Sequence, residues 1–366
     1  MKILYGICGI GNGHAFRQLP ILTRLAQAGA TLLVFAYGRS LEVFQQVAQD
    51  YSNVAVQEVF VPYLQGKTDG LDFATSARLN ANQKPFFARN CLAWERAAAD
   101  LGHPDLVLSD YEPVCAQYAY AYDAPLITID QQSKYLLGHS QNSLNGCSAT
   151  DEVMRLRMLF PKAALRIACS FFVPDQSKGG VEICPSLLRD SIQSLCRRPS
   201  ESEFIVYLSI QQFQSQPLSK WMQLFADQRD AQWHVFVPQQ TDCHPPANVH
   251  VYMHGDPAFD RLLASCAGVV STAGHGLLSE AMFLGIPVLA LPIRLYEQQM
   301  NAHVIAKHGF GLCAEDLNAE VLDRFRAELP AYTKQIREDR TVLLRRDGME
   351  ELWAAMQPWL PLAAGV

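Results

Sequence analysis

Charge is scarce in this chain. Only 18% of its 366 residues are Asp, Glu, Lys or Arg and 49% are apolar, against about 25% charged in a typical soluble domain. That balance excludes a disordered, heavily solvated chain and describes a folded globular protein. A basic excess is missing too: 30 Lys and Arg stand against 36 Asp and Glu, a net charge of −6. This argues against a protein that tracks nucleic-acid phosphates and leaves room only for a local basic patch. No apolar run reaches the roughly 20 residues needed to cross a bilayer. The opening Met1-Lys2-Ile3-Leu4-Tyr5-Gly6 is too short for the apolar part of a secretion signal, so a cytoplasmic location is expected. The ten cysteines are scattered singly with no C-x-x-C pair and read as buried, reduced thiols. Cys243, His244, His250 and His254 come nearest to a metal cluster, but their spacing fits no standard zinc pattern, and no metal is assigned.

What is present is a repeated grammar. At about 150 residues per domain the chain holds two domains. Lys2 to Ile7 is a short apolar run. It is followed by Gly9-Ile10-Gly11-Asn12-Gly13-His14 and then by apolar residues at helical spacing, Phe16, Leu19, Leu22, Leu25 and Ala26: strand, tight loop, helix. Gly29 stops the helix and Thr31 to Ala36 is a second buried strand, a βαβ unit. Leu106 to Ser109, a helix from Pro113 to Tyr122, and Leu126 to Ile129 repeat the pattern. Turn-rich segments at 174–180 and 197–201 bracket an inter-domain connection. A second set of strands runs from Phe204 to Ser209, Trp233 to Val237, Gly268 to Ser271 and Pro287 to Leu291. Short apolar strands alternating with helices predict α/β domains with parallel, doubly wound sheets. The expected division is 1–190, 191–330, and a helical, charged segment 331–366. The stripe Trp353, Met356, Trp359 and Leu360 in that last segment is expected to dock on the protein rather than on a membrane.

Candidate chemistry clusters where strands end. Gly9, Gly11 and Gly13 let the backbone turn sharply and approach another group closely. His14 follows beyond the carboxyl end of a parallel strand, where open α/β sheets bind ligands, and fits a general base. A dinucleotide fingerprint would need glycine or alanine at His14 and an acidic end to the second strand, where Ala36-Tyr37 stands. Asp110 closes Leu106 to Ser109; it either orients His14 over the same sheet or caps the next helix. In the second half, Ser271-Thr272-Ala273-Gly274-His275-Gly276-Leu277-Leu278-Ser279-Glu280 runs straight from strand to helix. Small residues leave open amides there, a ready seat for a diphosphate. Glu280 either accepts ribose hydroxyls or caps its helix. Glu297 and Gln298 offer carboxylate and amide to the vicinal hydroxyls of a sugar, and Asn301 supports the loop.

These motifs resemble those of GT-B glycosyltransferases, in the broad group of the UDP-glucuronosyltransferases and the bacterial transferase that adds N-acetylglucosamine to the lipid-linked muramyl precursor. The glycine loop before His14, Leu108 to Pro113, Gly274 to Glu280, Gly285-Ile286-Pro287, and Glu297-Gln298 with Asn301-Ala302 carry the resemblance, from Lys2 to about Gly311. It implies two Rossmann-like domains facing across a cleft, with terminal helices crossing back to the first. It implies a nucleotide-sugar donor, UDP-linked, with its diphosphate on the amides of Gly274, His275, Gly276 and Leu277. The ribose would lie on Glu280 and the sugar against Glu297 and Gln298. His14 and Asp110 map onto the group's catalytic pair, which inverts the anomeric carbon. The chain contains no D-x-D, in keeping with a fold that needs no divalent metal or other cofactor. Two positions depart from the group: Thr272 stands where plant-type relatives carry a diphosphate-binding histidine, and Gly276 where many carry Thr, Ser or Asn. His275 or the Thr272 hydroxyl would take over that contact. The acceptor is not named by these residues; lipid-linked molecules and glycans are the classes implied. The segment from Tyr63 to Trp94, with Phe73, Phe86 and Phe87 among Lys67, Arg78, Lys84 and Arg89, forms either an acceptor wall, a peripheral membrane contact, or an ordinary amphipathic helix. A nucleotide-sugar epimerase on the same scaffold, or a non-catalytic nucleotide-sugar-binding subunit, would use the same cradle without an acceptor.

Overall fold

The computed structural model describes residues 1–67, 70–138, 143–174, 176, 178–208, 217–239 and 244–360. The first sheet contains β1 (Lys2–Ile7), β2 (Thr31–Ala36), β3 (Val54–Glu58), β4 (Leu106–Asp110), β5 (Leu126–Asp130), β6 (Leu165–Ser170) and β7 (Glu182–Pro185), in the order β7-β6-β5-β4-β1-β2-β3. The second contains β8 (Glu203–Tyr207), β9 (Gln232–Val237), β10 (Val249–Met253), β11 (Gly268–Ser271), β12 (Val288–Ala290) and β13 (Gly311–Cys313), in the order β10-β9-β8-β11-β12-β13. All neighbours in both sheets are parallel. Helices cover both faces, so the central strands β1, β4, β5 and β11 are buried along nearly their whole length. That is why they read as continuous apolar runs rather than as an alternation.

Each sheet has one topological switch point, the crevice where strands wound in opposite directions lie side by side. In the first it falls between β1 and β4, where Ile7 pairs with Asp110. In the second it falls between β8 and β11, where Tyr207 pairs with Ser271. The glycine loop and the Thr272–Gly274 turn leave the sheets at these two points.

Of the connections, only the return to the first domain departs from expectation. Segment 174–180 precedes β7, which still pairs with β6, so the chain leaves the first sheet only after Pro185. The expected strand from Phe204 to Ser209 is β8, and residues 209–216 lie outside the described residues. The return to the first domain does not begin at 331. A helix spans Ala319–Glu338 straight through Pro330, because the apolar stripe Leu322, Phe325, Leu329, Tyr332 and Ile336 continues at spacings of three and four across the proline and stays against the second domain. The crossing follows Glu338. Helix Met349–Met356 then sets Leu352, Met356 and Leu360 into the first core, with Trp353 and Trp359 at its margin. Arg24 lies 4.2 Å over the Trp353 ring.

The cysteines are only partly the buried thiols expected. Cys8, Cys115, Cys169, Cys184 and Cys266 are buried, but Cys91 and Cys196 are exposed. Cys91 lies on the outer side of helix Lys84–Asp100, and Cys243 is outside the described residues. The histidines near it do not converge: His250 stacks on His234 and His254 lies flat on Tyr207 at 4.3 Å. Among the described residues no three His, Cys, Asp or Glu side chains are placed to hold a metal ion, and no helix is long and apolar enough to cross a membrane. Between Tyr63 and Trp94 the chain forms helices Phe73–Leu79 and Lys84–Asp100, which leave Tyr63, Phe73, Leu79, Phe87 and Leu92 exposed.

Candidate active site

The three glycines after β1 have different tasks. A Cβ on Gly9 would stand 1.8 Å from the Tyr37 carbonyl oxygen, so the loop can lie against the end of β2 only as glycine. Gly11 adopts φ +68, a left-handed turn into helix Gly11–Gln27. Gly13 has open space around its missing side chain. Ile10, at the N-cap, contributes no side-chain bond, so the first amides of this helix have no side-chain cap.

One turn along that helix, His14 Nδ1 lies 3.0 Å from Asp110 Oδ2 at the end of β4. Asp110 does not cap the following helix: Glu112 does, accepting from the amides of Val114 and Cys115 at 2.7 and 2.8 Å. Between them Tyr111 is held at φ +56, a strained conformation for a bulky residue of the kind that gathers at functional sites. Its phenol donates to Glu152 at 2.8 Å. Arg17, three residues after His14, places Nη2 2.6 Å from Asp110 Oδ1 and 2.9 Å from His14 Nδ1. Burial works against charge here, but Arg17 and His14 outweigh it and hold the Asp110 carboxyl below the ordinary carboxylate range. Burial opposes the charged form of His14 as well, yet Asp110 drives its pKa up to about 10.

Across the cleft, β11 leads through Ala273, at φ +64, into helix His275–Leu284. The amide of Asn301 pins this turn by donating to the Ala273 carbonyl at 3.0 Å. Gly274 caps the helix without a side chain, leaving its amides and positive dipole end available to an anion. Gly276 has only the Gly13 Cα, 4.0 Å from where its Cβ would stand, so the two helix N-termini face each other through a pair of glycines. His275 is buried, and among the described residues its Nε2 has no partner. Burial, together with Lys134, Arg17 and His14, holds it well below its ordinary pKa and therefore neutral. Glu280 lies further along the helix, and both its oxygens are taken by Arg189 Nε and Nη2, at 2.9 and 3.2 Å.

The loop after β12 supplies the rest. Among the described residues no hydrogen-bond donor reaches the Glu297 carboxylate; burial raises its pKa while Lys134, His14 and Arg17 pull it down. Gln298 is buried, and its oxygen accepts from the Ile293 amide at 3.3 Å, so it shapes the loop. Gln299 does likewise, donating to the Ile293 carbonyl and accepting from Asn145 at 2.7 Å. Lys134, just beyond β5, is buried and donates to the Gln131 carbonyl at 2.6 Å. Burial pushes its pKa down to about 8 against the pull of Glu297 and Asp130.

His14, Asp110, His275 and Glu297 are thus brought to one place, while Glu280 is tied to Arg189 and Gln298 to its own loop. Sequence reasoning missed Arg17, Lys134 and Arg189. Only Arg17 had a local signal, its three-residue spacing from His14 on one helix face; the other two meet their partners through tertiary structure alone.

Two parallel-sheet domains with their switch points turned toward a shared cleft make the GT-B architecture of glycosyltransferases, and this protein is one. The chain belongs to glycosyl transferase family 1, whose family model matches residues 1–330. It is 23% identical to an uncharacterized glycosyltransferase of Methanosarcina acetivorans over 336 residues, 85% of each chain. The same fold is found in the glycosyltransferase of kitacinnamycin, with a TM-score of 0.68, 16% identity, and 98% of this chain and 99% of that one covered. It is also found in Arabidopsis thaliana UGT89C1 complexed with UDP-L-rhamnose, with a TM-score of 0.63, 14% identity, and 96% and 94% covered.

Proposed function

We propose that this glycosyltransferase moves the sugar of a UDP-linked donor onto an acceptor hydroxyl, with inversion and without a divalent metal, as in the glucuronosyltransferase-related group its motifs resemble. The observation that carries the reading is the meeting of His14 and Asp110 from one domain with the open amides at His275 and the unengaged Glu297 from the other. The charge of His14 acts on both His275 and Glu297. A base and a sugar-binding carboxylate are therefore within electrostatic reach of one another.

In the reaction, the neutral form of His14, a minority at neutral pH because Asp110 lifts its pKa to about 10, takes the proton of the acceptor hydroxyl at Nε2 as that oxygen bonds to the anomeric carbon. The bond from that carbon to the phosphate oxygen breaks, and the nucleoside diphosphate leaves with the electron pair. Amides of helix His275–Leu284 and the Nε2–H of a neutral His275 would meet that charge, doing by dipole and hydrogen bond what a metal does elsewhere. Asp110 steadies the imidazolium. The acceptor, lipid-linked or glycan, would lie against the first domain.

The test has two parts. UDP is expected to raise the melting temperature, more so with its sugar attached; no shift with any nucleoside diphosphate overturns the donor site. His14→Ala is expected to lower turnover by about 10²- to 10⁴-fold with nucleotide binding kept; near-normal turnover removes His14 from the base role.

A further inference from the structure

The reaction leaves His14 as an imidazolium beside a buried carboxylate, and a base held that way does not readily let its proton go. Two groups crowd the same ring nitrogen, Asp110 Oδ2 at 3.0 Å and Arg17 Nη2 at 2.9 Å, and the same Nη2 lies 2.6 Å from Asp110 Oδ1. Whenever Nδ1 carries the proton that Asp110 accepts, it has no lone pair for Arg17, and two donors face each other. Arg17 is nine-tenths buried and, among the described residues, its Nε has no partner. A guanidinium kept only to hold the fold would spread its donors over carbonyl oxygens; this one is left under-satisfied at the ring of the base.

We propose that Arg17 is a positioning residue of the base: it occupies one oxygen of Asp110 and stands against His14 Nδ1, so that the imidazolium formed in each turnover can release its proton. The inference rests on His14 being the base. Its physical content is a division of one buried carboxylate between two cations. Asp110 alone would stabilise the imidazolium fully; with Arg17 on Oδ1 part of that charge is neutralised, and a second positive charge 2.9 Å away disfavours the charged ring. The other groups facing His14 are Cys8 from the end of β1 and, from the second domain, His275 and Glu297. His275 is neutral, and Glu297 favours the imidazolium, as Asp110 does. Arg17 is thus the cation set directly against the ring, on the same helix face and one turn away. Its position is in turn fixed by the 2.6 Å contact to Asp110 Oδ1.

The test follows the His14 ring by NMR titration in protein carrying labelled histidine, with the signal assigned by its loss in His14→Gln. Wild type, Arg17→Gln, Asp110→Asn and the double variant are compared. The double variant removes both charges at once and so leaves no buried ion unpaired; Arg17→Lys serves if Arg17→Gln does not fold. In the Asp110→Asn background, where His14 titrates at lower pH, Arg17→Gln is expected to lower its acid dissociation constant about tenfold, and Arg17→Lys to lower it less. Kinetically, the deficit of Arg17→Gln is expected to shrink as pH rises from neutral toward 10. An unchanged or increased dissociation constant overturns the proposal, as does a deficit that is the same at every pH, which marks a merely structural arginine. Near-normal transfer by His14→Gln would instead overturn the base reading, and the titration would still report on Arg17.

Discussion

Replacing Asp110 by Asn separates charge from shape at the centre of the site. The side chain keeps its size, but one oxygen becomes an amide nitrogen. Arg17 decides which, because its Nη2 donates to Oδ1 at 2.6 Å and demands an oxygen there. The new NH₂ is therefore turned toward His14 Nδ1, which must accept, and the neutral ring carries its proton on Nε2. A ring in that tautomer cannot take a proton from the acceptor. Loss of a carboxylate that orients a histidine base in this way costs roughly 10⁴-fold in kcat, and that loss is expected here with the KM for the donor unchanged. The stability effect follows from the same pair. Lifting the imidazole from 6.5 to about 10 corresponds to about 5 kcal/mol of preference for its charged form, in line with the roughly 3–5 kcal/mol for breaking a buried ion pair. Because the folded pKa of His14 lies above the unfolded one, its contribution is fully present below about 6.5 and is lost as pH climbs toward 10. Asp110, held low, contributes above the ordinary carboxylate range and loses its contribution in acid. The variant should therefore be least stable relative to wild type near pH 5–6, with the gap narrowing toward pH 10 to the part that comes from leaving Arg17 unpaired. Initial rates of nucleotide release and urea unfolding across that range measure both. A loss of turnover below about tenfold, or one confined to KM, refutes the tautomer argument.

Two further outcomes are expected. Glu280→Gln keeps one acceptor oxygen but removes the charge that pairs with Arg189; affinity for UDP, read by calorimetric titration, should fall about tenfold, a hydrogen bond to a charged group being worth about 1.5–3 kcal/mol. Unchanged affinity would remove Glu280 from the ribose. Burial lifts the Glu112 carboxyl to about 7 despite its two amide caps, so the folded state binds its proton more tightly than the unfolded chain and stability falls as pH rises from about 4.5 to 7. Glu112→Gln should flatten that slope in thermal unfolding at a series of pH values; an unaltered slope would place it elsewhere.

The two halves were legible because a buried parallel strand and the helix after it write distinct patterns. Lys2 to Ile7 and Gly268 to Ser271 could hardly be anything but central strands. Less legible were β3 and β10, outer strands with half-exposed residues, and the helix through Pro330, where an apolar stripe overrode a residue that usually breaks helices.

Local sequence determined the chemistry of each strand end: the glycines that free the backbone, the histidine after them, the acidic close of β4, and a helix begun without a capping side chain. These depend on residues a few positions apart, and short-range sterics and hydrogen bonding fix them. The tertiary structure decided which of these ends share a site. Arg17 stands against a carboxylate 93 positions away, Glu280 is held by Arg189 from the connection between the domains, and Glu297, without a donor among the described residues, lies in the field of His14. Such pairings depend on strand order and on how the two sheets face each other, which arise from burying apolar surface over the whole chain and leave no local trace.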